Sequence, residues 1–331
     1  MTERIRLSIP DARKLSERAV EGMGFSAEEA RIIADHCIDA AVCGYEYSGL
    51  PKLLNLADGP RSNLPRKPIE VVRETSVSAL YDGGNNVGMY TMYLMSKAAI
   101  ERAERHGFAI IGLTNSWTSG RGAYYVEMIA RAGLVGIHTV SASRHVAPLG
   151  GAKPTLGTNP ISFGFPMEGD PLVIDLGTSA FMATDLKMRE RLGIPLPEGV
   201  AIDADGNPTT DAARAKLGAI LPFGGHKGHA LSIAMRAFGT LCEVHRDAEG
   251  IYGYVTIAFK PDLLMPLEAY RTALADAIAE IKATPRQPGV SEIRIPGERS
   301  FTERARLMQE GIEIDRRIYD ALRKFADKTG V

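Results

Sequence analysis

Two glycine-rich stretches, KPTLGTNPISFGFP (Lys153–Pro166) and LPFGGHKG (Leu221–Gly228), decide how this 331-residue chain is read. Both set glycines beside hydroxyl, amide or basic side chains. Glycine lets the backbone approach a ligand closely and adopt positive φ. Thr158, Asn159, His226 and Lys227 then become candidate donors for phosphate or carboxylate oxygens. Either stretch alone would pass for an ordinary turn. They gain weight because the standard dinucleotide fingerprint, G-x-G-x-x-G, is missing. Gly120-Arg121-Gly122 comes closest, but Tyr125 stands where the third glycine belongs. The P-loop pattern is absent too. An ordinary Rossmann site is therefore not expected, and any nucleotide is expected to be held in another way.

Bulk properties narrow the field without naming a chemistry. The chain is 45% hydrophobic, enough for a large core and two domains. Its formal net charge of −1 supplies no global field to recruit nucleic acid or an anionic membrane, and neither is expected as a partner. The opening MTERIRLSIPDARKL lacks the apolar centre of a signal peptide, and no stretch approaches the ~18 apolar residues of a membrane span. Cys37, Cys43 and Cys242 have no metal-ligand spacing. Cys37 and Cys43 lie in an Ala-rich helical run and read as small core residues. A soluble, cytoplasmic protein without a metal is expected.

Along the chain, Ser26 and Glu29 have capping-box spacing. Ala30, Ile33, Ala34, Cys37, Ile38 and Ala41 follow at helical intervals as far as Gly44. Strands are predicted over 77–81, 109–113, 135–140, 172–176 and 252–260. Helices are predicted over 91–106, 123–132, 228–241 and 267–281, with a last one from about Phe301 carrying Leu307, Ile314, Ile318, Leu322 and Phe325. Asp203–Pro208 reads as a hairpin tip. His36 and His106 read as surface helix residues, His138 as structural on a strand, and His229 as local helix packing. Strands mixed with helices indicate an α/β or α+β enzyme-like fold.

Four motifs in fixed order carry a resemblance: His145–Gly151, Leu156–Pro160, Asp175–Ser179 and Leu221–Gly228. With them the chain resembles the type 2 malate/L-lactate dehydrogenase family of NAD(P)-dependent oxidoreductases over nearly its whole length. The wording Gly224-Gly225-His226-Lys227-Gly228 leans toward the Δ1-piperideine-2-carboxylate/Δ1-pyrroline-2-carboxylate reductase branch. The resemblance implies a non-Rossmann NAD(P)-binding domain with a largely antiparallel sheet, at 76–284. It implies a second, helical substrate and dimerisation domain built from both chain ends, 1–75 with 285–331, and a homodimer. By the same resemblance Asp175, Leu176 and Gly177 are cofactor-binding. So are Thr118, Ser119, Gly120, Arg121 and Gly122, the first cofactor loop, ahead of a helix whose N-terminus suits a phosphate. Gly297, Glu298 and Arg299 fall in the late loop that closes on the cofactor. Arg121 either pairs with a phosphate, including the 2′-phosphate of NADP, or is a solvated loop residue; NADP is slightly favoured over NAD. Thr158, His226 and Lys227 read as substrate or nicotinamide contacts, with an exposed turn cap as the other reading of Lys227. Asp185 matches an aspartate that orients the catalytic acid in the imine-reductase branch. Trp117 reads as packing ahead of ring stacking.

The departures are concentrated at one place. Where the family has Ser-His-Gly, this chain has Tyr47-Ser48-Gly49, so Ser48 replaces the usual proton donor. The carboxylate-binding arginine is Lys52, and a second frequent histidine is Thr118. Hydride transfer to C=O leaves an alkoxide that needs an acid of suitable pKa, and a serine hydroxyl is a poor one. Three alternatives stand: Tyr47 or Tyr45 with a lowered pKa, His145 or His226 reaching in from another loop, or a cyclic imine that arrives as an iminium with Asp185 favouring its charge. The expected activity is reduction of a small 2-imino or 2-oxo acid, with Lys52 on the substrate carboxylate. Oxidation of a 2-hydroxy or sugar acid and a lapsed nucleotide-binding protein are the competing readings.

Overall fold

In the computed structural model, residues 3–59, 61–242 and 253–330 are described. The chain starts with a short strand, β1 (Arg4–Leu7), followed by α1 (Ile9–Gly22) and α2 (Ala27–Val42). The Ser26–Glu29 capping box forms as its spacing predicts. Two 3-10 turns, Glu46–Ser48 and Leu50–Leu53, lead into a single helical turn, α3 (Leu54–Ala57). The middle of the chain alternates: β2 (Glu70–Glu74), β3 (Ser78–Val87), α4 (Gly88–His106), β4 (Phe108–Trp117), α5 (Gly122–Arg131), β5 (Val135–Ser141), β6 (Ile161–Phe165) and β7 (Leu172–Leu176). After these come α6 (Ala183–Leu192), β8 (Ala201–Ile202), α7 (Ala212–Leu217), β9 (Ala219–Ile220), α8 (His226–Thr240) and β10 (Gly253–Phe259). The chain closes with α9 (Leu267–Ala283), α10 (Glu298–Glu310), β11 (Ile312–Asp315) and α11 (Arg316–Ala326).

Seven strands form one sheet in the order β2-β3-β4-β10-β5-β6-β7. Only β3 and β4 pair in parallel, through the α4 crossover; the other neighbours are antiparallel. The largely antiparallel sheet that the family resemblance implies is therefore present. Met92, Met95, Ala99 and Ala103 of α4 pack with Ala109, Ile111 and Leu113 of β4 and Tyr254 of β10 in one core.

The two chain ends meet. β1 pairs antiparallel with β11, with Arg4 opposite Asp315 and Leu7 opposite Ile312. The second core draws on both ends, combining Leu15, Val20, Ile33, Cys37 and Leu53 with Ile318 and Leu322. Cys37 and Cys43 are fully buried, as the helical spacing indicates.

Three sequence expectations need correction. The single last helix is interrupted: α10 ends at Gly311, and Ile314 belongs to β11. Gly311 sits at φ +81 with no room for a side chain, since a Cβ would come 2.3 Å from the Leu7 carbonyl oxygen. β3 runs on to Val87 and β4 to Trp117, beyond the ends at 81 and 113 that their apolar runs suggest, because Asn85 at φ +62 and a register shift between Asp82 and Asn86 carry the ladder through a polar stretch. His36 is not a surface residue but is 1% exposed. Tyr252, the first residue of one predicted strand, lies outside the described residues.

α9 has no buried residue at all, although Leu267, Tyr270, Leu274, Ile278 and Ile281 follow one another at helical spacing. Leu264, just before it, is 89% exposed. Among the described residues no helix is long and apolar enough to cross a membrane.

Candidate active site

The segment between β4 and α5 is held tightly from three sides. Arg121 N–H donates to His36 Nε2 at 2.9 Å, the Tyr125 hydroxyl donates to the Ser119 carbonyl at 2.5 Å, and Met89 N–H donates to the Thr118 carbonyl at 3.2 Å. Thr118 sits at φ +58, a costly conformation for a β-branched residue that persists only where the surroundings impose it. His36 is wedged against Tyr124 and Tyr125, with ring centroids 4.7 and 5.4 Å away. Burial, with the charges of Lys52 and Arg121, keeps it neutral by lowering its pKa well below the ordinary value.

This segment forms one wall of a cavity of about 450 Å³. Thr118, Ser119 and Gly120 face Thr158 and His145, with Thr184 and Lys187 from α6 and Lys52 and Arg61 from the helical side. Four cations line it: Lys52, Arg61, Arg144 and Lys187. Among the described residues no aspartate or glutamate does. Lys52 is 7% exposed, with its Nζ 3.4 Å from Thr184 Oγ1. Burial lowers its pKa to about 8. His145 Nε2 lies 3.0 Å from Ser143 Oγ; burial, helped by the charge of Lys187, lowers its pKa to about 4. Trp117 is 4% exposed, donates Nε1–H to the Asn85 carbonyl at 3.0 Å and belongs to the core, so packing is its main role.

Several expected site residues are placed elsewhere. Ser48 and Tyr47 do not line this cavity. Burial, with Tyr45, Asp185 and Asp175 nearby, pushes the Tyr47 hydroxyl up to about 12, the opposite of what an acid there requires. Asp185 does not line it either; Arg189, one turn on, takes its carboxylate at 3.2 Å. Arg121 is held by the protein and is not the solvated loop residue of the second reading. Its side chain is 10% exposed and pairs with Asp39 at 3.1 Å, with the guanidinium over the Tyr45 ring. Gly122 opens α5, but that helix end already has an anion: Asp175 accepts from Ala123 N–H at 3.0 Å and from Ser162 Oγ at 2.7 Å. Leu176 and Gly177 follow Asp175, with Gly177 close to Met182 and the Thr158 carbonyl.

The two opening stretches also separate. Asn159 is fully buried, and its amide donates to the Ser232 carbonyl and Oγ, both at 3.0 Å, while its oxygen accepts from Ala142 N–H at 2.9 Å. It ties loops together and has no donor left for a ligand. His226 and Lys227 are exposed on the first turn of α8 and line neither large cavity. Gly228 is required by packing, since a Cβ there would come 2.4 Å from the Phe223 carbonyl oxygen and 2.6 Å from that of Thr178.

A second cavity, about 710 Å³, lies beside the late loop. Leu172, Ile278 and Phe301 give it an apolar wall; its charged lining is mixed, with Lys282, Arg294 and Arg299 beside Asp170, Glu292, Glu298 and Glu303. Glu298 itself is taken by Lys282 at 2.5 Å and by Ile295 N–H at 3.0 Å. Gly297, at φ +93, brings this loop against β7, where a Cβ would stand 3.1 Å from the Val173 carbonyl oxygen.

An ion cluster locks α10 to α2 and α5. Arg304 pairs with Glu127 at 2.6 Å and Asp39 at 2.8 Å. Arg131 adds to Glu127 at 2.8 Å. Burial raises Asp39 above the usual carboxylate range in spite of Arg121 and Arg304. Hydrogen bonds from Arg304 and Arg131 overcome burial at Glu127 and hold it below that range.

Sequence reading missed Arg61, Arg144, Lys187 and Thr184. An isolated cation on a loop or helix carries no pattern that separates it from a solvated one; only the fold brings these four together. His36 was missed because its neighbours Tyr124 and Tyr125 are some ninety residues away.

A mixed sheet without a dinucleotide fingerprint, holding a basic cavity against a strained polar loop, sets the protein outside the Rossmann class and offers a site for an anion. The chain belongs to the malate/L-lactate dehydrogenase family, whose sequence profile matches residues 7–323. It is 31% identical to a malate/(S)-sulfolactate dehydrogenase of Methanothermus fervidus, over 98% of each chain. It is also 31% identical to a Δ1-pyrroline-2-carboxylate reductase of Pseudomonas fluorescens, over 98% of this chain and 99% of that one. The structure of malate dehydrogenase from Pyrococcus horikoshii superposes with a TM-score of 0.86 at 29% identity, covering all of this chain and 98% of the other.

Proposed function

We propose that the protein uses a nicotinamide nucleotide to interconvert a small 2-oxo acid and its 2-hydroxy acid, with a substrate that carries a second negative group. The cavity carries this reading: four cations line it and, among the described residues, no aspartate or glutamate does. Such a site favours a dianion and concentrates it by its field. Thr158, Ser119 and Lys52 bind and orient the substrate at the inner end, and Arg61, Arg144 and Lys187 hold its acid groups. The Gly297–Arg299 loop and the cavity beside it suit a nucleotide, with Ile278 and Phe301 against the base and Arg294 and Arg299 on the phosphates; the bound nucleotide supplies the hydride. Residues 76–284 form the nucleotide-binding part in this reading, and 1–75 with 285–331 the other. Arg121 cannot mark a preference for NADP while Asp39 holds it, so NADH and NADPH are to be titrated side by side by fluorescence.

The test is a substrate panel with both nucleotides: oxaloacetate, pyruvate, larger 2-oxo acids, Δ1-pyrroline-2-carboxylate and Δ1-piperideine-2-carboxylate. Oxaloacetate is expected to exceed pyruvate in kcat/KM by about tenfold or more, the worth of one charge-assisted contact. Arg144→Ala should raise KM for the dianion by about tenfold and leave that for pyruvate nearly unchanged. The 2-imino acid reading keeps two supports, the similarity to a Δ1-pyrroline-2-carboxylate reductase and the absence of histidine at Ser48 and Thr118. Against it stands the cationic lining, which disfavours an iminium. A higher kcat/KM on either cyclic imine than on every 2-oxo acid would reverse the order.

Apolar side chains stand exposed just before α9 and at its end, Leu263 at 55%, Leu264 at 89% and Ile281 at 50%, and grouped exposure of this kind marks an interaction surface. Pairing of two copies over this face is part of the proposal. Sedimentation should give a dimer that Leu264→Glu together with Ile281→Glu shifts toward monomer.

A further inference from the structure

We infer that Lys52 is the group that protonates the substrate oxygen as the hydride arrives, a role that rests on the reductase reading above. The step balances. A hydride from the reduced nicotinamide forms the C–H bond at C2 of the 2-oxo acid. The C=O π pair moves to oxygen, and the Lys52 ammonium gives that oxygen its proton. The products are the 2-hydroxy acid, the oxidised nucleotide and a neutral Lys52 amine, which takes a proton back from solvent through the cavity mouth.

Elimination within the cavity points to this residue. Arg61 and Arg144 do not release protons in a protein. His145 is neutral, with its ring nitrogen engaged by Ser143. Tyr254 is 1% exposed, and its hydroxyl donates to the Ser116 carbonyl at 3.0 Å. The serine and threonine hydroxyls are too weakly acidic. Lys187, half-buried on the α6 wall, is nearer to water.

Lys52 differs from all of these. It lies against the cavity with its side chain buried, touches the neutral Thr184 hydroxyl, and forms no ion pair among the described residues. An ammonium held in this way is an acid of useful strength, because burial disfavours its charge. The groups that face it are few. From α2 come the Cys37 thiol, itself pushed up to about 12 by burial and so neutral, and the neutral His36. Lys187 faces it from α6 and lowers its pKa; Asp175 from β7 opposes that effect at longer range. The balance leaves Lys52 near 8. Arginine at this position would bind a carboxylate equally well but would have no proton to give, so the lysine matters most in a site that has lost histidine at both Ser48 and Thr118.

The experiment uses the wild-type chain, Lys52→Arg and Lys52→Ala. Lysine amines are tagged by 13C reductive methylation and titrated by NMR without ligand. One resonance is expected to titrate near pH 8, apart from surface lysines at ~10.4, and to be missing in both variants. In steady state, wild-type reduction should lose rate above about pH 8, since the ammonium is the active form, and oxidation should gain rate through the same range. Lys52→Arg should keep KM within a few-fold, lose the alkaline limb and lose about 100- to 10,000-fold in kcat. Methylamine should restore part of the rate to Lys52→Ala. Nucleotide titration checks that both variants fold. A Lys52 resonance titrating at the ordinary lysine value, or a Lys52→Arg variant that keeps more than about a tenth of kcat with its alkaline limb intact, overturns the inference. A wild-type protein that reduces no acid of the panel removes the reductase reading, and the inference with it. A working wild type that Lys52→Arg does not slow removes the inference alone.

Discussion

Gly120→Ala is expected to destabilise the fold by about 2–5 kcal/mol and to reduce turnover by more than the loss of folded protein explains. The estimate combines a left-handed backbone, about 1–2 kcal/mol, with overpacking, about 1–3 kcal/mol. Gly120 sits at φ +81, and an added Cβ would stand 1.9 Å from His36 Nε2 and 2.6 Å from Cε1. Nothing in this contact can yield cheaply. The imidazole is clamped by Tyr124 and Tyr125, and its Nε2 is the acceptor that fixes Arg121 N–H. If the ring moves, the Thr118–Gly122 segment loses its anchor, and Thr118, Ser119 and Gly120 move with it out of the cavity wall. Urea unfolding and kcat/KM should both report the change. His36→Ala alone leaves the Arg121 amide without its acceptor and opens a space. Combined with Gly120→Ala it should cost less than the sum of the single changes, with a coupling of at least about 1 kcal/mol. Strict additivity would mean that the two side chains do not meet.

The second large effect is expected at Arg304. Replacement by alanine should cost about 2–4 kcal/mol. The lower part of the range for broken buried pairs applies, because Arg304 is 22% exposed and each acid retains another guanidinium, Arg121 on Asp39 and Arg131 on Glu127. The deficit should shrink in acid. Glu127 is held below its ordinary range, so the wild type gains from it above the unfolded pKa and loses that gain as pH falls. Asp39 is held above its ordinary range by burial, so protonation relieves it, more so once Arg304 is gone. Both effects narrow the gap between variant and wild type below about pH 4, where carboxylates titrate. Denaturant midpoints at pH 7 and pH 4 would show it; a pH-independent difference would mean that Arg304 acts only by packing. Because α10 begins at the Gly297–Arg299 loop, nucleotide affinity should fall in the same variant.

How much of this could be read beforehand varied with the kind of signal. The capping box at Ser26, the helical periodicity of α2 and the alternating strands were visible because short-range sterics write them locally. The missing dinucleotide fingerprint pointed correctly away from a parallel nucleotide fold. The pairing of β1 with β11 was not visible, because each strand has four residues and the alternation of Arg4–Leu7 is too short to mark a strand or name its partner. At the site, Lys52, Thr158, His145 and the Thr118–Gly120 loop were found, and the structure gathers them. Arg121 and Asp175 were assigned to ligand, yet each is held by the protein: Arg121 by Asp39, and Asp175 by the first turn of α5. Glycine-rich stretches gave the same ambiguity, since Gly228, Gly297 and Gly311 serve backbone packing while Gly120 lines a cavity. Composition cannot separate these uses; the partner that a Cβ would strike can.

The pairing of Arg4–Leu7 with Ile312–Asp315 also sets an order of events at the ribosome. The first strand emerges more than three hundred residues before its partner, a wait of roughly 15–60 s at about 5–20 residues per second. Throughout that interval the apolar face of α1 lacks α11. The N-terminal helices must therefore be shielded by chaperones or by transient contacts, and truncation within α11 should harm the yield of folded chain far more than its few residues suggest.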